Sequence, residues 1–482
     1  MSHRTPAGLL MALVIMSALL STARLAQAQQ RSESSGKYAP GAQGSSNVRV
    51  LSHVPLGRLF TVGDIEAEQE LSRPYVYVPR MQGTTRSTGF TIVSVKDPRR
   101  AKAIYTWTME QPELLRAYGG LQGKYFKLGP RYYYAQSFQI LQGSPKTEVG
   151  AIVFDVTGLP DTTTVKEVRR LNVPENPGGF HNLFTYKHSD GRVLLFSTST
   201  GPFSSVWDMA KFVGGSTDQG FISRIPIPGV AAGAPSGPTQ GRSGTANTTG
   251  TYHDFYVAYD AATKQDKFYG AAWSGGYFIF DVTRPEEPKL ITSITGVAGG
   301  GSYHTFTPTP DGRYAVGEME YVYAPLRTYD LKPGLDGTVK TISRPIGAWT
   351  SDFKNLPHNH EVRWPYVFVS AYEDGLQVFN MMDPTNPYTV GYFYTYEGPR
   401  KRGWGGVDKP EEGTGNANGA FGVDVRNADG MIFVSDMSEG LYVLKMDGFD
   451  GWNGHQWGMP NISSAQDWDN GPEGAPKPQK VS

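Results

Sequence analysis

One pattern returns along this chain and limits its fold more than any other feature. It consists of a glycine, a run of β-branched and aromatic residues, an Asp with Pro close by, and a second β-rich run. "GFTIVSVKDPRRAKAIYTW" begins at Gly89, "GAIVFDVTGLPDTTTVKEV" at Gly150, "GGYFIFDVTRPEEPKLITSI" at Gly275 and "DGLQVFNMMDPTNPYTVGYF" at Asp374. "EGLYVLKMDGF" begins at Glu439 and stops after its first strand. Each full copy reads as strand, proline-containing turn, strand, because proline is tolerated between ladders and not within them. A second β-rich run precedes most copies: "RYYYAQS", "KFYGAAW", "PYVFVSAY" and "GMIFVSDM". Less regular copies lie near 220 ("GFISRIPIPG") and 326 ("LRTYDLKPG").

A four-stranded unit recurring every ~50 to 70 residues is the signature of propeller blades. The predicted fold is all-β, a seven-bladed β-propeller with blades near 70–107, 128–170, 178–228, 250–295, 300–350, 356–394 and 418–445. The last unit is one strand short, and "NVRVLSHVPLG" (47–57) has the composition to supply it. A ring closed by this N-terminal strand, completing the last blade, leaves no exposed sheet edge.

The flanks read differently. "MSHR", the apolar "GLLMALVIMSALL" and the small-x-small "AQA" ending at Ala28 have the layout of a signal peptide, with a predicted cut after Ala28. The domain plan is therefore a leader over 1–28, a disordered polar segment over 29–46, the propeller over 47–445 and a polar tail over 446–482. No later apolar run approaches spanning length, so no membrane span is expected after cleavage, and the location is periplasmic or secreted. Basic and acidic residues number 45 each, which gives no electrostatic footprint for nucleic acid. The chain contains no cysteine, which excludes disulfides, thiolate metal sites and cysteine nucleophiles. Neither a G-x-S-x-G nor a P-loop occurs, and the Gly-rich "GTGNANG" at 413 lacks dinucleotide spacing, so no nucleotide cofactor is expected.

The runs "GAIVFDVTGLP", "GGYFIFDVTRPEEP" and "GLQVFNMMDPTNP" resemble the LVIVD repeat, and "GVDVRNADGMIFVSDMSEGLYVL" is similar to the closing unit of such proteins. The resemblance covers roughly residues 48 to 445. It implies an exported propeller and brings no assigned activity with it.

The functional signal lies in the histidines. His181, His253, His304 and His360 each open the first strand of a blade, in four consecutive blades. First strands line the central channel, so side chains at one register converge. Neutral imidazoles with open positions suit a transition metal such as Cu, Fe or Zn. Asp254, Glu318, Glu320 and Glu361 are candidates to orient the rings or to act as alternative ligands. "PHNH" sets His358 and His360 two apart, hence on one strand face, so either can be the inward ring; alignment with "VFVSAYEDG" favours His360, with His358 as the alternative ligand. His188, in the turn "KHSDG", is expected to be exposed, and His53 and His455 receive no role. The long loops 227–250 and 397–419 enter first strands and should crown the same rim, as lids or contacts for a small molecule or exported partner. The sequence thus supports a metal-binding propeller, with a metal-dependent oxidase or oxygenase and a metal-free interaction scaffold as alternatives.

Overall fold

The computed structural model describes residues 43–57, 61–81, 88–110, 120–139, 149–172, 179–199, 201–230, 251–321, 324–351, 356–396, 419–454 and 466–474. Seven small antiparallel sheets stand around one axis as a seven-bladed β-propeller. The inner strands are Glu66–Ala67, Gly123–Leu128, Leu183–Lys187, Tyr252–Asp260, Tyr303–Pro308, Asn359–Arg363 and Ala420–Arg426, in blades 1 to 7. Blade 1 starts slightly ahead of its predicted boundary, and blade 4 gains a fifth, parallel strand, Thr341–Ile342. The predicted leader, most of the 29–46 segment and most of both long loops lie outside the described residues.

Burial falls outward across each blade. In blade 1, Tyr75–Arg80 and Gly89–Ser94 are almost wholly buried, whereas the outermost Lys102–Thr108 has no buried residue. The middle strands bear on neighbouring blades from both faces and read as continuous apolar runs for that reason. Aromatic rings fill the spaces between blades. Tyr77 stacks on Tyr134 at 4.4 Å, Tyr277 on Phe306 at 4.4 Å and Trp349 on Phe379 at 4.7 Å. Such pairs contribute roughly 0.5–1.5 kcal/mol each beyond area burial.

The repeat glycine has a steric cause. At Gly89, Gly276, Gly375 and Gly440 the backbone has positive φ (158°, 125°, 65° and 108°). A Cβ there would approach the carbonyl oxygen of the next strand outward to 2.0, 2.6, 2.2 and 2.3 Å, at Trp107, Ile294, Phe393 and Val54. The repeat aspartate caps the following turn: Asp97, Asp161, Asp281 and Asp383 accept the amide N–H two residues on, at 2.9 to 3.1 Å.

The carbonyl facing Gly440 belongs to Val54 because the N-terminal strand Val48–Val54 is the fourth strand of blade 7. It pairs antiparallel with Gly440–Met446 from Val48↔Met446 to Val54↔Leu441. Residues just before it, placed in the disordered segment by sequence, bond blade 6 instead: Ser45 N–H donates to Tyr392 O at 3.0 Å.

Part of the predicted polar tail is also bound. Gln466 spans Lys187 N–H (2.5 Å) and Thr185 O (2.7 Å), and Asp469 pairs with Lys127 at 2.6 Å. Glu473 accepts from Tyr259 Oη at 2.7 Å, and Trp468 is buried against Tyr125. These partners sit toward the C-terminal ends of the inner strands of blades 2, 3 and 4, so the strap crosses one face of the ring. Among the described residues no helix is long and apolar enough to cross a membrane.

Candidate metal centre

The opposite face holds the histidines. In blades 4 and 5 the inner strand is bulged at its start, with register breaks between Tyr252 and Asp254 and between Tyr303 and Phe306. Blade 7 has the same break between Ala420 and Gly422. A bulge lifts one residue out of the ladder and re-aims its side chain, here His253, His304 and Phe421. His181 and His358 stand immediately before their blades' inner-strand openings. The rings form an arc across blades 3 to 7: His181–His253 at 4.1 Å, His253–His304 at 4.2 Å, His304–His358 at 4.5 Å and His358–Phe421 at 3.8 Å.

The ring that follows His304 is His358, whereas sequence alignment selected His360. The residue after each histidine explains the difference. Asp254 and Thr305 follow His253 and His304, and both join a hydrogen-bonded belt just below the rings. In blade 6 the belt residue is Asn359, so the equivalent histidine is His358. His360 is also buried but turns to blade 5, with Nδ1 at 3.2 Å from Glu318 Oε2. His188, expected to be exposed, is fully buried, its Nε2 at 3.0 Å from Val282 O and 3.2 Å from Asp266. The turn sends that ring inward against blade 4. His53 stacks on Tyr442 in blade 7, and His455 lies outside the described residues.

Three rings of the arc are anchored through Nδ1. His181 faces Gln139 Oε1 at 2.9 Å, His304 faces Thr305 Oγ1 at 2.8 Å and His358 faces Phe421 O at 2.6 Å. The Phe421 carbonyl only accepts, so His358 carries its proton on Nδ1 and a lone pair on Nε2. Thr305 has acceptors at Asn359 Oδ1 (2.9 Å) and Asp254 Oδ2 (3.1 Å) for its own proton, which gives His304 the same tautomer. Among the described residues, Nε2 of His304 and Nδ1 of His253 are buried without a hydrogen-bond partner. Donor atoms of His253, His304 and Glu320 lie within 4.8 Å of one another. Glu320 Oε1 accepts from Tyr372 Oη at 2.5 Å, and its Oε2 is 3.7 Å from His304 Nε2.

Electrostatics suit a cation. Burial pushes His181 down to about 4 and His358 to about 3. Burial and neighbouring imidazoles push His253 and His304 well below the ordinary range. The rings are therefore neutral at pH 7, with lone pairs available. Burial pushes Glu320 up to about 7, against the Tyr372 hydrogen bond. Glu318, buried between His304 Nδ1 (3.5 Å) and His360, is pushed well above the carboxylate range by burial and by Glu320 and Asp254.

The belt runs Asn182–Asp254 (2.6 Å), Asp254–Thr305 (3.1 Å), Thr305–Asn359 (2.9 Å) and Asn359–Asp64 (2.8 Å), linking blades 3, 4, 5, 6 and 1. Asp254, expected to orient a ring directly, is a member of this belt. Glu361 accepts from Arg363 at 2.8 Å and faces Asp424, Glu66, Asp64 and Lys124 electrostatically. Lys124 pairs with Glu66 at 2.7 Å. Sequence reasoning missed Asp64, Glu66, Lys124 and Asp424; the available signal was a charge at the start of an otherwise apolar inner strand, as in "GKYF" and "GVDV".

No protein-family profile matches the chain, and no curated protein matches it. Among solved structures, the chain is similar to Raptor of Chaetomium thermophilum, with a TM-score of 0.51 and 11% identity. The match covers 83% of this chain and 29% of that one, and it shows the β-propeller fold alone.

Proposed function

We propose that this protein is an exported propeller of the LVIVD-repeat kind that holds a transition metal at one mouth of its channel, with His253, His304 and Glu320 as ligands and His181 and His358 beside them. The observation that carries this reading is the group of three donors within 4.8 Å, two of them imidazoles with a buried nitrogen that has no hydrogen-bond partner among the described residues. Burying such nitrogens without a partner costs about 1–3 kcal/mol each, a cost a metal bond offsets. Imidazole with carboxylate suits Zn, Cu or Fe. Three protein ligands leave coordination positions for a small ligand, which keeps a metal-dependent oxidase or oxygenase as the second reading.

Elemental analysis of the mature protein, purified without a His-tag, tests the proposal. Near-stoichiometric Cu, Fe or Zn is expected, lost in His304→Ala and retained in His53→Ala. A wild type that stays metal-free after reconstitution with each ion overturns it.

A further inference from the structure

Tyr372 has a backbone that residues of its kind avoid. Its φ is +40°, in the left-handed region, where a Cβ is crowded. The position is fixed from the neighbouring blade: Tyr372 N–H donates to Ala420 O at 2.9 Å and Ala420 N–H donates to Tyr372 O at 2.8 Å. Gly419 lies so close that a Cβ on it would approach Tyr372 O to 2.0 Å. A glycine at 372 would adopt this conformation without strain; the tyrosine keeps the strain together with its side chain. The side chain is 3% exposed, its ring is 5.1 Å from His358, and its hydroxyl donates to Glu320 Oε1 at 2.5 Å.

We propose that Tyr372 is a positioning residue of the metal centre: it occupies Glu320 Oε1 and thereby presents Oε2 alone, on the side of His304 Nε2. This rests on the metal-binding reading. A carboxylate free at both oxygens can close on a cation in bidentate fashion, whereas one held at Oε1 supplies a single oxygen. The bridge to Ala420 ties this choice to the packing of blade 7 against blade 6.

Cobalt(II) is the probe, because its visible absorption reports coordination number. Wild type, Tyr372→Phe, Glu320→Gln and the double variant are titrated against a competing chelator, with far-UV circular dichroism as the folding control. Tyr372→Phe is expected to keep one cobalt per chain, bind it about 10- to 100-fold more weakly and show weaker visible bands as the carboxylate turns bidentate. In the Glu320→Gln background the same change is expected to have no further effect. A folded Tyr372→Phe with wild-type spectrum and affinity overturns the positioning role while leaving metal binding intact. An equal loss in both backgrounds does the same. A wild type that takes up no cobalt and none of the other ions overturns both proposals.

Discussion

Raising the pH of the metal-free protein from 6.5 to 8 should destabilise it, and the size of the effect follows from four buried carboxyl groups. Burial pushes Asp64, Asp254 and Glu320 up to about 7, and Glu66 to about 8, from ordinary values of 3.8 or 4.5. A group whose folded pKa is raised stabilises fully below its unfolded value and loses that contribution as pH rises through the folded value. Between pH 6.5 and 8 each of these groups loses on the order of 1 to 2 kcal/mol, so the four lose roughly 4 kcal/mol together. Below pH 6.5 the trend is opposed. His181, His253, His304, His358 and His360 are all pushed down by burial from the ordinary 6.5, so their contribution grows as pH rises through that value; most of the gain falls below pH 6.5, but roughly 2 kcal/mol in all comes above it and offsets about half of the carboxyl loss. The expected profile is a plateau near pH 5 to 6.5 and a fall above it. Urea unfolding in the presence of a chelator measures it, and Asp64→Asn should reduce the fall by about 1 kcal/mol. Stability that is flat or rising from pH 6.5 to 8 would refute the reasoning, because these carboxyl groups would then already be ionised.

Further outcomes follow from the packing. Gly422→Ala sets a Cβ 2.0 Å from Asp64 Oδ1 and 2.9 Å from its Cα, and should cost about 1–3 kcal/mol by chemical denaturation. Gly301→Ala, with nothing among the described residues within 4 Å of the new carbon, should be neutral, and equal effects at both positions would contradict the steric account. Trp468→Ala removes the apolar anchor of the C-terminal strap and should cost up to about 3 kcal/mol. It should also speed proteolysis beyond residue 450, and an unchanged cleavage rate would mean that Gln466, Asp469 and Glu473 hold the segment without the indole. His304→Ala should remain folded, as circular dichroism can check, since the ring packs on His253 and His358 in the arc and not within the apolar core of a blade.

The ring architecture was legible because four of the seven blades repeat one steric problem. The glycine opening the third strand and the Asp capping the turn after it are local requirements, and local requirements survive in sequence. The arc of histidines was legible from register alone, since inner strands place equivalent positions at one height. His358 and His360 were confused because two-residue spacing preserves the strand face and says nothing about height along the axis. The belt fixes that height, and it consists of contacts such as Asn359–Asp64 between residues 295 apart in sequence. His188 went astray for a similar reason: "KHSDG" specifies a turn, while the Val282 carbonyl that draws the ring inward belongs to the next blade. The strap's Gln466, Trp468 and Glu473 carry no periodicity, so only their partners reveal them.

Ring closure gives the chain a fixed order of events. Among the described strands, the one that completes blade 7 is synthesised first and its partner last; Arg49 and Asp447, which meet at that seam, are 398 residues apart. Until Gly440–Met446 emerges, Val48–Val54 has no ladder to join, and the growing sheet stack has an open edge. The histidines of the arc lie between 181 and 358, so every donor nitrogen exists before the seam can form. Glu320 and the tyrosine that holds it are likewise in place earlier, but the Ala420 bridge that fixes Tyr372 waits for blade 7. The proposed metal ligands are thus made before the ring shuts, and the arrangement of the group is completed by its closing.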